Sequence, residues 1–236
     1  MTQPLVSIII PVFNEATTIV QTLWRLKDDV GVELIVVDGG SQDDTVELVL
    51  QMGVKVISSP IPERAQQMNI GAAAARGDIL LFLHADTQLP QNYQKIVQMT
   101  LAKERVIAGA FELAIDSQQW SLRLVEKMVN WRSRLCSLPY GDQAIFLDKR
   151  VFQDLGGFAN LPIMEDFEFI QRLKRRGKIA LAPVAVLTSD RRWQKLGVLK
   201  TTLINQLIIV GYYLGISPTR LRHFYHNRRL FSKNSK

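Results

Sequence analysis

The sequence predicts an α/β fold: a single doubly wound, mostly parallel sheet followed by a C-terminal helical basic tail. Two observations carry this prediction. Strand and helix periodicities alternate through the first half of the chain, the signature of βαβ units. Three strand-like runs are apolar and then stop on polar, mostly acidic side chains: Ile8-Ile9-Ile10-Pro11-Val12-Phe13-Asn14-Glu15, Leu34-Ile35-Val36-Val37-Asp38 and Ile79-Leu80-Leu81-Phe82-Leu83-His84-Ala85-Asp86. Strands of a parallel sheet are buried on both faces and read as near-continuous apolar runs. Ligands of such sheets sit outside the carboxyl ends of the strands, so the polar stops are expected to converge on one crevice.

In order, a strand at about residues 5–12 leads into a helix at 16–27. A strand at 34–37 precedes a helix at 43–52, whose Asp43, Asp44 and Glu47 suit the positive end of its dipole. After the strand at 54–57, Pro60 and Pro62 introduce a helix reaching about Arg76; its alanines at 72–75 permit close packing and Gly77 ends it. The strand at 79–83 completes the first half. Beyond Pro90 come a helix to about Lys103, a strand at 106–115 and a long amphipathic segment at 119–135. A short strand at 143–147, helices at 148–155 and 165–176 and a strand at 179–186 follow, with no internal repeat and no low-complexity linker.

With 236 residues, the chain suits one large α/β domain better than two small ones. Hydrophobic residues at 47% and charged residues at 22% exclude collagen-like and disordered classes. The lone Cys136 has no intrachain partner, so nothing argues for an oxidising compartment; it is expected as a small buried side chain. Met1-Thr2-Gln3-Pro4 lacks the basic start of a signal peptide, which makes a cytoplasmic location the default.

The net charge of +7 is unevenly spread. Residues 1–186 hold 19 Lys and Arg against 21 Asp and Glu, whereas residues 187–236 hold 10 against 1. The excess lies in the tail, which argues against a nucleic-acid footprint over the domain. Residues 199–216 include Lys200, Asn205 and Gln206 and fall short of the ~20 apolar residues of a spanning helix. Leu199, Leu203, Leu207, Val210 and Leu214 form a stripe at helical spacing. Burial on the protein, its own or a partner subunit in a homo-oligomer, is the preferred reading, with peripheral membrane contact its rival.

Carboxylates gathered at such a crevice repel a nucleotide diphosphate unless a divalent cation lies between them. Mg²⁺ or Mn²⁺ takes one or two protein carboxylates plus phosphate oxygens. In His84-Ala85-Asp86-Thr87-Gln88, residues 84, 86 and 88 face one way if the segment is extended; the rival is a loop of exposed polar groups. Asp38, before Gly39-Gly40-Ser41, can accept hydrogen bonds from a base or ribose. Asn14 and Glu15 hold the corresponding place after the first strand, where Asn14 also suits a helix cap. Arg64 suits a phosphate or is a solvated charge. Gly141-Asp142-Gln143 precedes a strand, and Glu165-Asp166 opens a helix, as caps or as the source of a general base. Arg191-Arg192-Trp193 binds diphosphate or stacks on a sugar, or simply begins the tail. The central expectation is that Asp38 and Asp86 share one pocket, bridged through a cation to a pyrophosphate.

Together these residues resemble glycosyltransferase family 2, nucleotide-sugar-dependent transferases of the Rossmann-like type A fold. The resemblance rests on Ser7 to Glu15, Val36-Val37-Asp38-Gly39-Gly40-Ser41 with Asp43-Asp44-Thr45, Asn69-Ile70-Gly71-Ala72-Ala73 and Arg76-Gly77-Asp78, and covers roughly residues 5–195. It implies a transferase domain over residues 1–195, with a nucleotide-binding half at 1–90 and an acceptor half at 91–195, ahead of an amphipathic helix and basic tail at 196–236. Pro11, Asn14, Glu15, Asp38 and Arg64 would surround the nucleotide, and Asp86 would reach the metal with Gln88 as a further ligand. His84 stands where the family usually has aspartate. Glu165-Asp166 resembles the acidic pair whose second member is the base. Arg191-Arg192-Trp193 is similar to a shortened arginine-tryptophan motif near the diphosphate, with Asp142 and Gln143 on the acceptor side.

The implied activity is metal-dependent, inverting transfer from a nucleotide-diphosphate sugar to an unidentified acceptor hydroxyl. Two rivals remain. One is a nucleotidyltransferase making nucleotide sugars, whose glycine-rich basic loop is replaced here by Asn14-Glu15-Ala16. The other is a binding module whose tail, with Arg220, Arg222, Arg228 and Arg229 among His223, Phe224, Tyr225 and His226, grips nucleic acid or anionic lipid. Nucleic acid is not expected as a partner.

Overall fold

Apolar runs become the buried strands of one sheet. In chain order the elements are β1 (Val6–Val12), α1 (Ile19–Trp24), β2 (Val32–Asp38), α2 (Thr45–Gln51), β3 (Lys55–Ser58), α3 (Arg64–Ala74), β4 (Ile79–Phe82), β5 (Thr87–Gln88), α4 (Tyr93–Leu101) and β6 (Val106–Asp116). Next come α5 (Trp120–Cys136), a 3-10 turn (Gly141–Gln143), β7 (Phe146–Asp148), α6 (Lys149–Asp154), α7 (Glu165–Arg176), β8 (Lys178–Ser189), α8 (Arg191–Leu196), α9 (Val198–Tyr213) and α10 (Pro218–Leu230). This computed structural model describes residues 5–230, with backbone only at 226–230. Residues 231–236 and the side chains of His226, Arg228 and Arg229, counted above in the basic tail, lie outside the described residues.

The strand order is β3-β2-β1-β4-β7-β6-β8-β5. The first four strands pair in parallel, as does β6 with β8. The short β7 is inserted antiparallel between β4 and β6, and β5 runs antiparallel to β8 at the edge. The sheet is therefore mixed beyond its parallel first half. Only residues 83–86 separate β4 from β5, although the two stand far apart in strand order, so the sheet curls. The curl decides where the site forms.

Side-chain alternation along β1 divides the core. Val6, Ile8 and Ile10 pack with Ile19, Val49, Val97 and Leu122 of α1, α2, α4 and α5, whereas Ile9 packs with Met68, Phe152 and Phe169 of α3, α6 and α7. Helices thus cover both faces. Helix α3 lies close on β1 and β2 because Gly71 offers no side chain: an added Cβ would sit 2.4 Å from Ile9 Cγ2 and 3.1 Å from Val37 Cγ2. Gly71→Ala is expected to destabilise by about 1–3 kcal/mol through overpacking, read as a lower urea midpoint with an unchanged slope.

Several details depart from expectation. Gln143 lies in the 3-10 turn, and α8, α10 and β5 are additional elements. Cys136 is exposed rather than buried, because it ends α5 on the solvent side. In α9 the face turned inward is Thr201, Ile204, Ile208 and Gly211, with Ile204 and Ile208 meeting Met164, Phe167 and Leu221. The stripe of Leu199, Leu203, Leu207, Val210 and Leu214 is left exposed, so the fold itself does not bury it.

Candidate functional site

The chain leaves the β1–β4 ladder just after Leu83, whose N–H still bonds to the Ile9 carbonyl at 2.9 Å. Thr87 N–H then closes a turn on the His84 carbonyl at 3.1 Å. This turn breaks the alternation expected for residues 84, 86 and 88. Gln88 pairs with Leu187 in the β5–β8 ladder and is not among the residues lining the cavity described below.

The same pairing brings the end of β8 to Asp86. The hydroxyls of Thr87 and Thr188 meet at 3.0 Å, and Ser189 N–H bonds to the Asp86 carbonyl at 3.1 Å. Arg191, opening α8, then donates to Glu15 Oε2 at 2.8 Å and Asp86 Oδ2 at 3.0 Å. Burial works against the guanidinium charge, but the two carboxylates outweigh it and raise the Arg191 pKa. Three segments far apart in sequence are thus joined by one ion-pair cluster.

Around the cluster opens a polar cavity of about 110 Å³, lined by Pro11, Glu15, Arg64, His84, Ala85, Asp86, Asp142, Thr188, Ser189, Arg192 and Trp193. Burial, helped by Arg64 and Arg192 and opposed by Asp86, pushes the His84 pKa down to about 3, so the imidazole is neutral near pH 7. Burial raises the Asp142 carboxyl, with Arg132 opposing and Asp166 reinforcing. Asp142 Oδ1 and Arg192 Nε are buried without a hydrogen-bond partner among the described residues. Such orphaned groups are costly, and a polar ligand would satisfy them. Arg192 is otherwise held through Nη2 on Asn205 Oδ1 at 2.6 Å. Arg64 makes no ion pair with any described residue and is a free cation for an anionic ligand.

Among the described residues no three His, Cys, Asp or Glu side chains stand together as a metal cage. The donors instead fit a divalent cation shared with phosphate, which needs only one or two protein carboxylates. Asp86 and Asp142, both of which line the cavity, would supply them.

Pro11 and His84 also line a narrow adjoining cleft together with Gly141, Glu165 and Asp166. Asp166 Oδ2 accepts Gly141 N–H and Oδ1 accepts Phe167 N–H, both at 2.7 Å, which orients the carboxylate. A Cβ on Gly141 would lie 3.2 Å from both Asp166 Oδ2 and His84 Nε2, so this glycine lets the two side chains approach from either side. Glu165 is buried, and burial together with Asp166, against the opposing Arg64, pushes its pKa up to about 7.

The raised Glu165 pKa has a thermodynamic sign. The folded protein holds this proton more tightly than the unfolded chain, so stability falls as pH rises from about 4.5 to about 7. Glu165→Gln is expected to remove that decline and to gain on the order of 2 kcal/mol at pH 8, measured by urea unfolding at pH 5 and pH 8.

Arg191 bonds to Asp86 and Glu15 without itself lining the cavity, and Asp38, Asn14 and Gln143 do not line it either. The Asp38 carboxylate is taken up by its own turn, accepting from Gly40 N–H at 2.9 Å, Ser41 N–H at 3.1 Å and the Ser41 hydroxyl at 2.5 Å. It ends β2, beside Val12 at the same edge of the sheet, and does not share the Asp86 cavity. Asn14, at φ 55°, ties this turn to the end of β1, donating its N–H to Ser41 Oγ and accepting from Gln42 N–H; it does not cap α1. Gln143 is fully buried, donating to the Phe111 carbonyl and accepting from Ser133 Oγ and Tyr140 N–H. Conversely, Arg132, Thr188 and Ser189 belong to the site or its electrostatics but were not anticipated, and Gly141 was named only as part of the Gly141-Asp142-Gln143 motif. Thr188 and Ser189 end β8 just before Arg191, and the rule that ligands sit at strand ends could have found them.

A family model described as Glycosyl transferase family 2 matches residues 7–155, more than half of the chain. The undecaprenyl-phosphate 4-deoxy-4-formamido-L-arabinose transferase of Pseudomonas syringae pv. syringae (strain B728a) is 28% identical over 152 residues, covering 58% of this chain and 45% of that protein. The chain therefore spans about half the length of the curated relatives it matches. Among solved structures, the mannosyltransferase PcManGT from Pyrobaculum calidifontis, in complex with GDP-Man and Mn²⁺, has a TM-score of 0.64 at 20% identity, covering 80% of this chain and 57% of that one. Glucosyl-3-phosphoglycerate synthase from Mycobacterium tuberculosis, in complex with Mn²⁺, UDP and phosphoglyceric acid, has a TM-score of 0.62 at 21% identity, covering 87% and 78%. At these identities the likeness to the two structures is one of fold. The matched span takes in β1 to β7, the frame that carries Pro11, Glu15, Arg64 and Asp86, and the chain belongs to glycosyltransferase family 2.

Proposed function

We propose that the protein transfers a sugar from a nucleotide-diphosphate sugar to an acceptor hydroxyl, with inversion at the anomeric carbon. The observation that carries this reading is the placement of His84: it lines both the Asp86 cavity, with its Arg64 and Arg192 cations, and the cleft that holds Asp166. A site for a charged leaving group and a candidate base thus adjoin.

In this reading Asp166 takes the acceptor proton as the acceptor oxygen attacks the anomeric carbon. The bond from that carbon to the diphosphate oxygen breaks, and the nucleoside diphosphate leaves with the electron pair. Arg64 and Arg192 stabilise the charge growing on the leaving group, and Arg191 joins them once it releases Asp86. Direct displacement, with no protein nucleophile in the path, inverts the centre. A divalent cation, Mg²⁺ or Mn²⁺, would supply further charge neutralisation at the diphosphate, held by Asp86, whose cavity His84 and Asp142 also line. The complexes of GDP-Man and UDP with Mn²⁺ in proteins of the same fold support this assignment.

A calorimetric screen of nucleoside diphosphates with and without Mn²⁺ tests the reading before any acceptor is known. Binding of one diphosphate, strengthened by the metal, is expected. No binding under either condition would overturn it, and pyrophosphate release from a nucleoside triphosphate and a sugar phosphate would assign the site to nucleotidyl transfer instead.

A further inference from the structure

Two helices outside the cavity leave large apolar side chains in water. On α5, Trp120 (74% exposed), Leu124, Met128, Trp131 (68%) and Leu135 recur at intervals of three and four residues, the spacing of a single helix face. On α9, Leu199 (88%), Leu203, Leu207 and Val210 do the same, continued by Leu214 just beyond its end. The helices pack against each other, and Val198 at the start of α9 meets the cluster that holds Leu122 and Val125 of α5. Both inner faces are thus occupied by the fold, and the two outer stripes lie on neighbouring helices. Contiguous apolar surface of this kind marks an interaction site.

Charge identifies what it meets. The exposed face of α5 also carries Arg123, Lys127 and Arg134, the last paired with Glu112 of β6, and that of α9 carries Lys200. The only acid of α5, Glu126, is nearly buried and paired with Arg123 at 3.0 Å. α9 has no acid, and none occurs anywhere after Asp190. Tryptophan and leucine interleaved with arginine and lysine suit the headgroup boundary of an anionic bilayer, where rings and aliphatic chains enter the acyl edge and cations meet lipid phosphates. A second copy meeting this face across a two-fold axis would bring its own cations against these. Among the described residues no helix is long and apolar enough to cross a membrane.

We infer that the outer faces of α5 and α9 form one docking surface for an anionic lipid bilayer. The surface is tied to the cavity, because Asn205 of α9 holds Arg192 in the cavity wall. It does not depend on the chemistry proposed above, and its binding is measured without any nucleotide sugar.

The test is sedimentation of the full chain with sucrose-loaded vesicles of phosphatidylcholine, alone or mixed with phosphatidylglycerol. Binding to the mixed vesicles is expected, weakened by high salt, with little binding to phosphatidylcholine alone. Trp131→Glu and Leu203→Glu, one on each helix, should each weaken it by about tenfold or more. The double variant Lys127→Gln with Lys200→Gln should lose much of the preference for the anionic lipid. All four side chains are exposed, so the melting temperature should hold, and the lysine variant gives a reading free of any inserted acid. Absence of wild-type binding to anionic vesicles, or undiminished binding in both glutamate variants, would overturn the inference. So would a lipid-free dimer in sedimentation velocity that Trp131→Glu and Leu203→Glu dissociate, which would make a second copy the cover.

Discussion

Asp166→Asn is expected to lower sugar transfer by about 10²- to 10⁴-fold, the usual contribution of a positioned general base, while nucleotide binding stays within about twofold. The two oxygens of Asp166 are oriented by Gly141 N–H and Phe167 N–H and retain lone pairs toward the cleft. An asparagine keeps one of these bonds and turns an N–H₂ group toward the other donor, so proton acceptance is lost along with part of the orientation. Separate measurement of transfer and of nucleotide affinity reads the difference. Near-normal turnover would reject the base role. Glu165 is the poorer candidate, because it is buried whereas Asp166 is only half-buried and has both carboxylate oxygens oriented by backbone N–H groups.

Removing the charge of Asp86 should have a comparably large effect on a different quantity. Asp86→Asn is expected to abolish the metal-dependent part of nucleotide affinity, a loss of about 100-fold, or about 3 kcal/mol. Asp86 is paired with Arg191, which also holds Glu15, so a cation and Arg191 compete for one carboxylate. Arg191→Gln is therefore expected to tighten Mn²⁺ binding in the absence of nucleotide while weakening retention of the diphosphate. Metal titrations of the three proteins, alone and with nucleotide, check both statements. An Asp86→Asn titration indistinguishable from wild type would remove Asp86 from the metal, and weaker metal binding in Arg191→Gln would show that Arg191 supports the site rather than competing for it.

Particular residues show where reading the sequence succeeded and where it could not. The unbroken apolar runs at β1, β2 and β4 and the helix Glu165–Arg176 follow from local periodicity, and the helix begins and ends where expected. The gathering of Glu15, Arg64, His84, Asp86 and Arg192 follows from the rule that ligands of α/β sheets sit at strand ends. Asp38 satisfies that same rule, and its carboxylate is engaged within its own turn. A carboxylate followed by Gly-Gly-Ser can bind a ligand or close its own turn, and three donors within the turn take it up. Gln143 likewise reads as a polar residue near the crevice, although its amide cross-links Phe111, Ser133 and Tyr140 in the interior.

The outer stripe of α9 was legible as a helical repeat, yet the repeat does not say which face the fold covers. The Ile204 and Ile208 face was chosen by Phe167 and Leu221, contributed by α7 and α10. By itself, then, the sequence determined the class of fold and the first half of the sheet and named most of the residues that line the cavity, because these follow from short-range periodicity and from the chemistry of single residues. Only the tertiary structure decided that β7 enters antiparallel, that the sheet curls to carry Arg191 onto Asp86, and that Gly141 stands between Asp166 and His84. Those outcomes depend on packing between segments dozens of residues apart, which no local pattern encodes.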